Sequence, residues 1–109
     1  MASGAYSSIS GGEFNTAAGS YSSVAGGGGT DSYGNPLGNT AFANLSVILG
    51  GQLNWTGDPK QSDPATGSAS TISGGATNTA SGNSSSVSGG NNRQATGEFN
   101  WVAGAYHTP

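Results

Sequence analysis

Residues 84–97 read SSSVSGGNNRQATG, residues 68–82 read SASTISGGATNTASG and residues 6–19 read YSSISGGEFNTAAG. The three stretches share a small polar run, one β-branched apolar residue, a Gly-Gly pair, an Asn-like position, an Ala and a closing Gly. With the β-branched residue as marker, the pattern recurs at Ile9, Val24, Ile48, Ile72, Val87 and Val102. Three of the five gaps are 15 residues and the other two are 24, which is 15 plus 9. A fixed period of this order is the signature of a solenoid, so the chain reads as one unit written about six times.

The second half of the unit keeps the same phase. Asn15 and Ala17 stand six and eight residues after Ile9, Asn78 and Ala80 stand likewise after Ile72, and Arg93 and Ala95 after Val87. After Val24 the pair arrives nine residues late, as Asn39 and Ala41, which places a first insert near 30–38. After Ile48, Asn54 is on time but the Ala-x-Gly piece is late, as Ala65 and Gly67, which places a second insert near 56–64. Pro36, Pro59 and Pro64 fall in these inserts with Asp31, Asp58, Lys60 and Asp63, whereas the repeated part is almost free of charge and proline. The reading is a single domain over 1–109. Its interior rows are Ile9, Val24, Ile48, Ile72, Val87 and Val102 on one strand, and Ala17, Ala41, Ala65, Ala80 and Ala95 on the other.

Composition narrows the function classes. Apolar residues make up 32% and charged residues 6% of the 109, and glycine fills 21 positions. Such a chain lacks the material for a conventional core. It is either flexible low-complexity sequence, or a repeat in which backbone hydrogen bonding and close stacking replace bulk; the strict phase selects the second. The net charge of -3, with Lys60 and Arg93 as the only bases, argues against nucleic-acid binding and against an electrostatic membrane anchor. There is no cysteine, hence no disulfide or thiolate-metal site. The longest apolar patch, Val47 to Leu49, falls far short of the roughly 18 residues of a membrane span.

Each unit reads as two short strands. The first is centred on the β-branched residue, with Ser7 and Ile9 on one side and Tyr6, Ser8 and Ser10 on the other. The Gly-Gly pair turns the chain, the second strand carries the Asn and the Ala, and a Gly such as Gly19 or Gly82 makes the other turn. Fifteen residues suit a flattened two-strand coil, a β-roll, whose coils stack in parallel at about 4.8 Å. One Val or Ile and one Ala per coil is a small interior against an ordering cost of roughly 1–2 kcal/mol per residue. The sequence therefore predicts a homo-oligomer that buries a further face of each roll.

These units resemble the head repeats of trimeric autotransporter adhesins, the YadA-like family of bacterial surface proteins. The matching residues are Ser8-Ile9-Ser10-Gly11-Gly12 with Asn15, Ala17 and Gly19, then Thr71-Ile72-Ser73-Gly74-Gly75 with Asn78, Ala80 and Gly82, and Ser86-Val87-Ser88-Gly89-Gly90 with Ala95 and Gly97. The resemblance covers everything but the inserts. It implies an all-β, left-handed parallel β-roll, a β-solenoid of about six 15-residue coils assembled as a homotrimer. It further implies a non-enzymatic adhesin head on the outer surface of a bacterium, attaching to host matrix, cells or other surfaces. The 15-residue period departs from the family's usual, slightly shorter one. Similar repeats occur in phage tail fibres, so a structural segment of such a fibre or of an extracellular filament is the alternative. An ice-surface binder with regular Thr rows is disfavoured.

No catalytic constellation emerges, and no cofactor is expected. His107 stands alone near the end, Glu13 and Glu98 lie at different phases, and the serines have no base placed beside them. Asp31, Asp58 and Asp63 lack EF-hand or GGxGxD spacing, so no metal site is assigned. Phe99, Trp101 and Tyr106 read as a cap on the last coil. The inserts are the candidate ligand-binding elements. They are expected to emerge side by side on one edge, bringing Asp31, Tyr33, Leu37, Trp55, Asp58, Lys60 and Asp63 together. Filling a groove between neighbouring chains is their competing role.

Overall fold

The computed structural model describes residues 1–58, 60 and 63–103; Tyr106 and His107 lie outside them. Among the described residues the chain is all-β, without a helix, and its strands form two parallel sheets. Strands β1 (Ser8–Ile9), β3 (Ser23–Val24), β5 (Val47–Ile48), β7 (Thr71–Ile72), β9 (Ser86–Gly89) and β11 (Trp101–Ala103) build the first sheet, each pairing with the next in that order. Strands β2 (Thr16–Ala17), β4 (Thr40–Ala41), β6 (Trp55–Thr56), β8 (Thr79–Ala80) and β10 (Gln94–Ala95) build the second in the same way. The chain thus alternates between sheets, one strand in each per coil. Register follows the sequence repeat: Ile9 pairs with Val24, Val24 with Ile48, Ile48 with Ile72, Ile72 with Val87 and Val87 with Val102.

Alternation along the strands sends one residue inward between outward neighbours. Val24, Ile48, Ile72 and Val87 from the first sheet meet Ala17, Ala41, Ala80 and Ala95 from the second, all fully buried. Ile9 and Val102, in the end coils, are only partly buried. A serine row, Ser22, Ser46, Ser70 and Ser85, completes the interior. Small side chains are required there because the sheets are joined by tight turns. Gly75 shows this: at φ 88 a Cβ would stand 2.1 Å from the Gly90 carbonyl oxygen of the next coil. Each coil also holds non-glycine residues at positive φ, among them Tyr21 at 58° and Leu45 at 59°. Their strain, about 1–2 kcal/mol each, is offset by the stacked hydrogen bonds around them.

The asparagines supply many of those bonds. Asn15, Asn39, Asn54 and Asn78 form a buried column. The Asn54 amide donates to the Gly50 carbonyl of its own coil at 2.9 Å, to the Gly75 carbonyl of the next at 3.0 Å and to Asn39 Oδ1 at 3.0 Å. Its Oδ1 accepts the backbone N–H of Asn78 at 3.1 Å. The same forward contact runs from Asn15 to Asn39 N, from Asn39 to Asn54 N and from Asn78 to Arg93 N, at 2.9, 3.0 and 2.8 Å. A short apolar-poor turn is thereby fastened by side chains that satisfy otherwise unpaired backbone groups.

Two expectations are corrected by the register. Ala65 is exposed; the residue paired with Ala41 and Ala80 is Thr56, which is fully buried. Its hydroxyl is accommodated by Ser46 Oγ, 2.7 Å away, which also donates to the Ala43 carbonyl at 2.7 Å. The inserts, moreover, do not interrupt the second strand. Gly28 N still bonds Gly51 O at 2.8 Å and Leu53 N bonds Leu37 O at 3.1 Å, so the nine extra residues lie between Gly28 and Gly38. Gly57 N bonds Ala80 O at 2.9 Å, and Gly67 N bonds Asn83 Oδ1 at 2.9 Å. The second set of nine therefore lies between Gly57 and Gly67. One insert opens the turn that leads into the second strand, the other the turn that leads out of it. They stand at opposite edges of the stack. An extra residue within a strand would break a ladder on both sides, whereas a turn yields length at little cost.

Candidate functional site

The first insert is a small self-contained loop. Thr30 and Pro36 form an antiparallel bridge, and Leu37 N donates to Gly29 O at 2.8 Å. Asp31 Oδ1 accepts the N–H groups of Tyr33 and Asn35 at 2.8 and 2.9 Å, and its Oδ2 accepts the Asn35 side-chain amide at 3.0 Å. These bonds, chiefly the backbone N–H of Asn35, hold the Asp31 carboxyl below its ordinary pKa. Tyr33 stands 88% exposed at the tip, while Leu37 is half-buried.

The second insert leaves the stack at Gly57, whose φ of 97° turns the chain outward; a Cβ there would stand 3.1 Å from the Phe42 ring. Asp58 Oδ1 accepts the N–H of Lys60 and Asp63 Oδ1 that of Ala65, both at 2.9 Å. All three insert aspartates are thus turn formers. Among the described residues no group of three or more His, Cys, Asp or Glu is placed to hold a metal. Pro64 O accepts Asn44 N at 2.8 Å, which ties the returning limb to a neighbouring coil. Trp55 belongs to β6 and not to an insert. Its ring packs at 30° on Phe42, centroids 5.9 Å apart, and its indole N–H is buried without a hydrogen-bond partner among the described residues.

Of the seven candidates, then, Asp31, Tyr33 and Leu37 gather at one edge, and Asp58, Lys60 and Asp63 at the other, with Trp55 on the outer face of the second sheet. Described residues of the second insert stand beside that face and border an open cleft of about 440 Å³. Asp58, Lys60 and Thr66 form its wall, and Thr79, Gln94, Ser81 and Thr96 its floor. These floor residues escaped sequence analysis because they belong to the repeat, which reads as scaffold. Strand alternation was the available signal: Thr79 and Ser81 flank inward Ala80, and Gln94 and Thr96 flank inward Ala95.

The other conspicuous surface is apolar. Tyr6, Tyr21, Leu45 and Phe99 occupy equivalent turn positions and are 81%, 58%, 58% and 75% exposed. Tyr6 and Tyr21 stack with centroids 5.0 Å apart. Trp101, expected to cap the last coil, is 70% exposed on the outer face of the first sheet. Compared with protein-family models, curated proteins and solved structures, the chain matches none.

Proposed function

We propose that this chain is a non-enzymatic attachment module: the head of a bacterial cell-surface adhesin, built as a left-handed β-roll and assembled as a homotrimer. The observation that carries the reading is the set of equivalent turn positions along one edge of the parallel stack, of which Tyr6, Tyr21, Leu45 and Phe99 present large exposed apolar side chains and Ala69 and Ser84 small ones. A monomer has no use for such a row, whereas three chains packed about a common axis bury it and enlarge their small interiors. The resemblance of the repeats to YadA-like heads supplies the chain number, the handedness and the location outside the outer membrane. Host matrix or cell-surface molecules are the expected targets.

Sedimentation equilibrium tests the assembly. A mass of three chains is expected, and a folded, thermally stable monomer overturns it. Attachment is tested by particles coated with the protein on layers of matrix protein or cells, against particles coated with an unrelated β-solenoid. Equal retention of the two rejects the adhesin. Parallel stacking of near-identical coils, with Ile9 and Val102 partly buried at the two ends of the first sheet among the described residues, suits one second reading, a segment of a longer fibre. That reading is supported if the purified chain forms end-to-end filaments and shows no attachment.

A further inference from the structure

The cleft beside the second insert has a composition that selects its occupant. Its floor carries Thr79 and Gln94, paired in register across the ladder, and Ser81 and Thr96 two residues further along. The four side chains mark out a rectangle of roughly 4.8 by 6.6 Å, the footprint of one pyranose ring with its hydroxyls. Among the described residues none of these four hydroxyl or amide groups has a protein hydrogen-bond partner, in contrast to the asparagine column and to Ser46. They offer donors and acceptors together, without charge. On the wall, Asp58 and Lys60 bring opposite charges, and Asp58 is fixed by the Lys60 N–H at 2.9 Å. The cleft is therefore neutral overall.

Other ligand classes fit less well. An anion would meet one ammonium with a carboxylate beside it. An apolar molecule would strand four polar groups without partners. An extended peptide cannot add a strand within the floor, because Thr79 N and Ser81 N already donate to Arg93 O and Ala95 O at 2.8 and 3.0 Å; the one free ladder side there among the described residues is that of β10, at the end of the sheet and not across the floor. The volume of about 440 Å³ lies within the range of small-molecule sites and has room for more than one sugar ring.

We propose that this cleft is a carbohydrate site that takes a neutral di- or trisaccharide. Thr79, Ser81, Gln94 and Thr96 bond the hydroxyls, and Asp58 and Lys60 orient the sugar from the wall. This rests on the attachment reading and names the chemical class that one of its surfaces recognises.

The test is NMR titration of the isotope-labelled full chain with maltotriose, cellotriose and triacetylchitotriose, and separately with inorganic phosphate. The expected result is saturable shifts of the Thr79, Ser81, Gln94 and Thr96 amides with at least one sugar, at a Kd of about 1 mM. Thr79→Val and Gln94→Ala should each weaken that binding about tenfold while the remaining spectrum keeps its dispersion. No shift with any of the sugars, shifts elsewhere on the chain, or shifts indifferent to both variants overturns the proposal. So does phosphate as the only probe that moves these amides. Particle attachment by the unsubstituted protein separates the two readings. Attachment by a protein that binds none of the sugars refutes the cleft alone, and sugar binding without attachment supports the cleft and refutes the adhesin.

Discussion

Replacing Asn54 by Ala probes the column that fastens the coils together. The side chain makes four hydrogen bonds: to Gly50 O, Gly75 O and Asn39 Oδ1, and from Asn78 N. Alanine removes all four and supplies nothing in return; Asn54 is 1% exposed, and its bonds with Asn39 Oδ1 and Asn78 N are buried, while those to the Gly50 and Gly75 carbonyls are part-buried. The amide shares two protons among its three acceptors, so at about 1 kcal/mol net for each full bond the loss is about 3–4 kcal/mol, and the desolvated Asn78 N–H pushes it upward. Against a total stability of about 5–15 kcal/mol this is severe, and for a chain of this size it corresponds to a fall in Tm of roughly 15–30 °C. Thermal unfolding followed by far-ultraviolet circular dichroism, at one fixed protein concentration so that association does not shift the midpoint, measures it. Gln52→Ala is the control, because Gln52 is exposed and bonds its neighbours through its backbone; it should change stability by less than about 0.5 kcal/mol. If Asn54→Ala loses less than about 1 kcal/mol, the column is decoration and the stack is held by its backbone ladders alone.

Four further outcomes follow from the same geometry. Ile72→Ala empties the centre of a fully buried row and should cost about 2–5 kcal/mol, read by guanidinium unfolding. Gly75→Ala drives a Cβ to 2.1 Å from a backbone oxygen and should abolish the cooperative transition, whereas Gly50→Ala, whose Cβ meets nothing within 4 Å, should leave a folded protein. Ala69→Gly relieves a non-glycine φ of 60° at an exposed turn and should stabilise by about 0.5–1 kcal/mol. The Asp31 carboxyl is held below its ordinary pKa, so its contribution to the first insert is present above the unfolded value of about 3.9 and is lost as pH falls through the lower folded value. Titration by NMR should show the Tyr33 and Asn35 amides moving to loop-like shifts below about pH 4 while the Val87 amide stays put.

Most of the scaffold was legible because each level of the repeat repeats for a physical reason. A stacked coil needs the same inward residue at the same step, and Ile9, Val24, Ile48, Ile72, Val87 and Val102 pair in the register that their spacing dictates. The Ala row was misread at one point. Ala65-Thr66-Gly67 copies the look of Ala80-Ser81-Gly82, and a composition match drew the eye away from the constant step of eight residues, which leads from Ile48 to Thr56. Thr56 looks unsuited to an alanine position until its hydroxyl is seen against Ser46 Oγ. Counting Ala65 into the row places the second insert inside the strand, whereas the register places it in the turn that follows. The cleft was out of reach for a different reason. Asp58 and Lys60 were recognisable as unusual residues, but the floor beside them consists of ordinary repeat residues from two coils, and only the nearness of Asp58, Lys60 and Thr66 distinguishes those positions.

The asparagine column runs one way. Beyond its bond to a glycine carbonyl of its own coil, and in Asn39 and Asn54 a contact with the preceding asparagine, each carboxamide reaches for the backbone of the coil that follows it, as Asn54 does for Gly75 and Asn78. The stack is therefore vectorial: every coil prepares the seat for its successor, and a coil that lacks the amide harms the next one more than itself. At the last rung among the described residues the amide gives way to Arg93, which receives the forward contact from Asn78 through its own N–H. A lesion at Asn15 and one at Asn78, chemically identical, should then open different lengths of the molecule, so that the chain order of the coils is also an order of dependence.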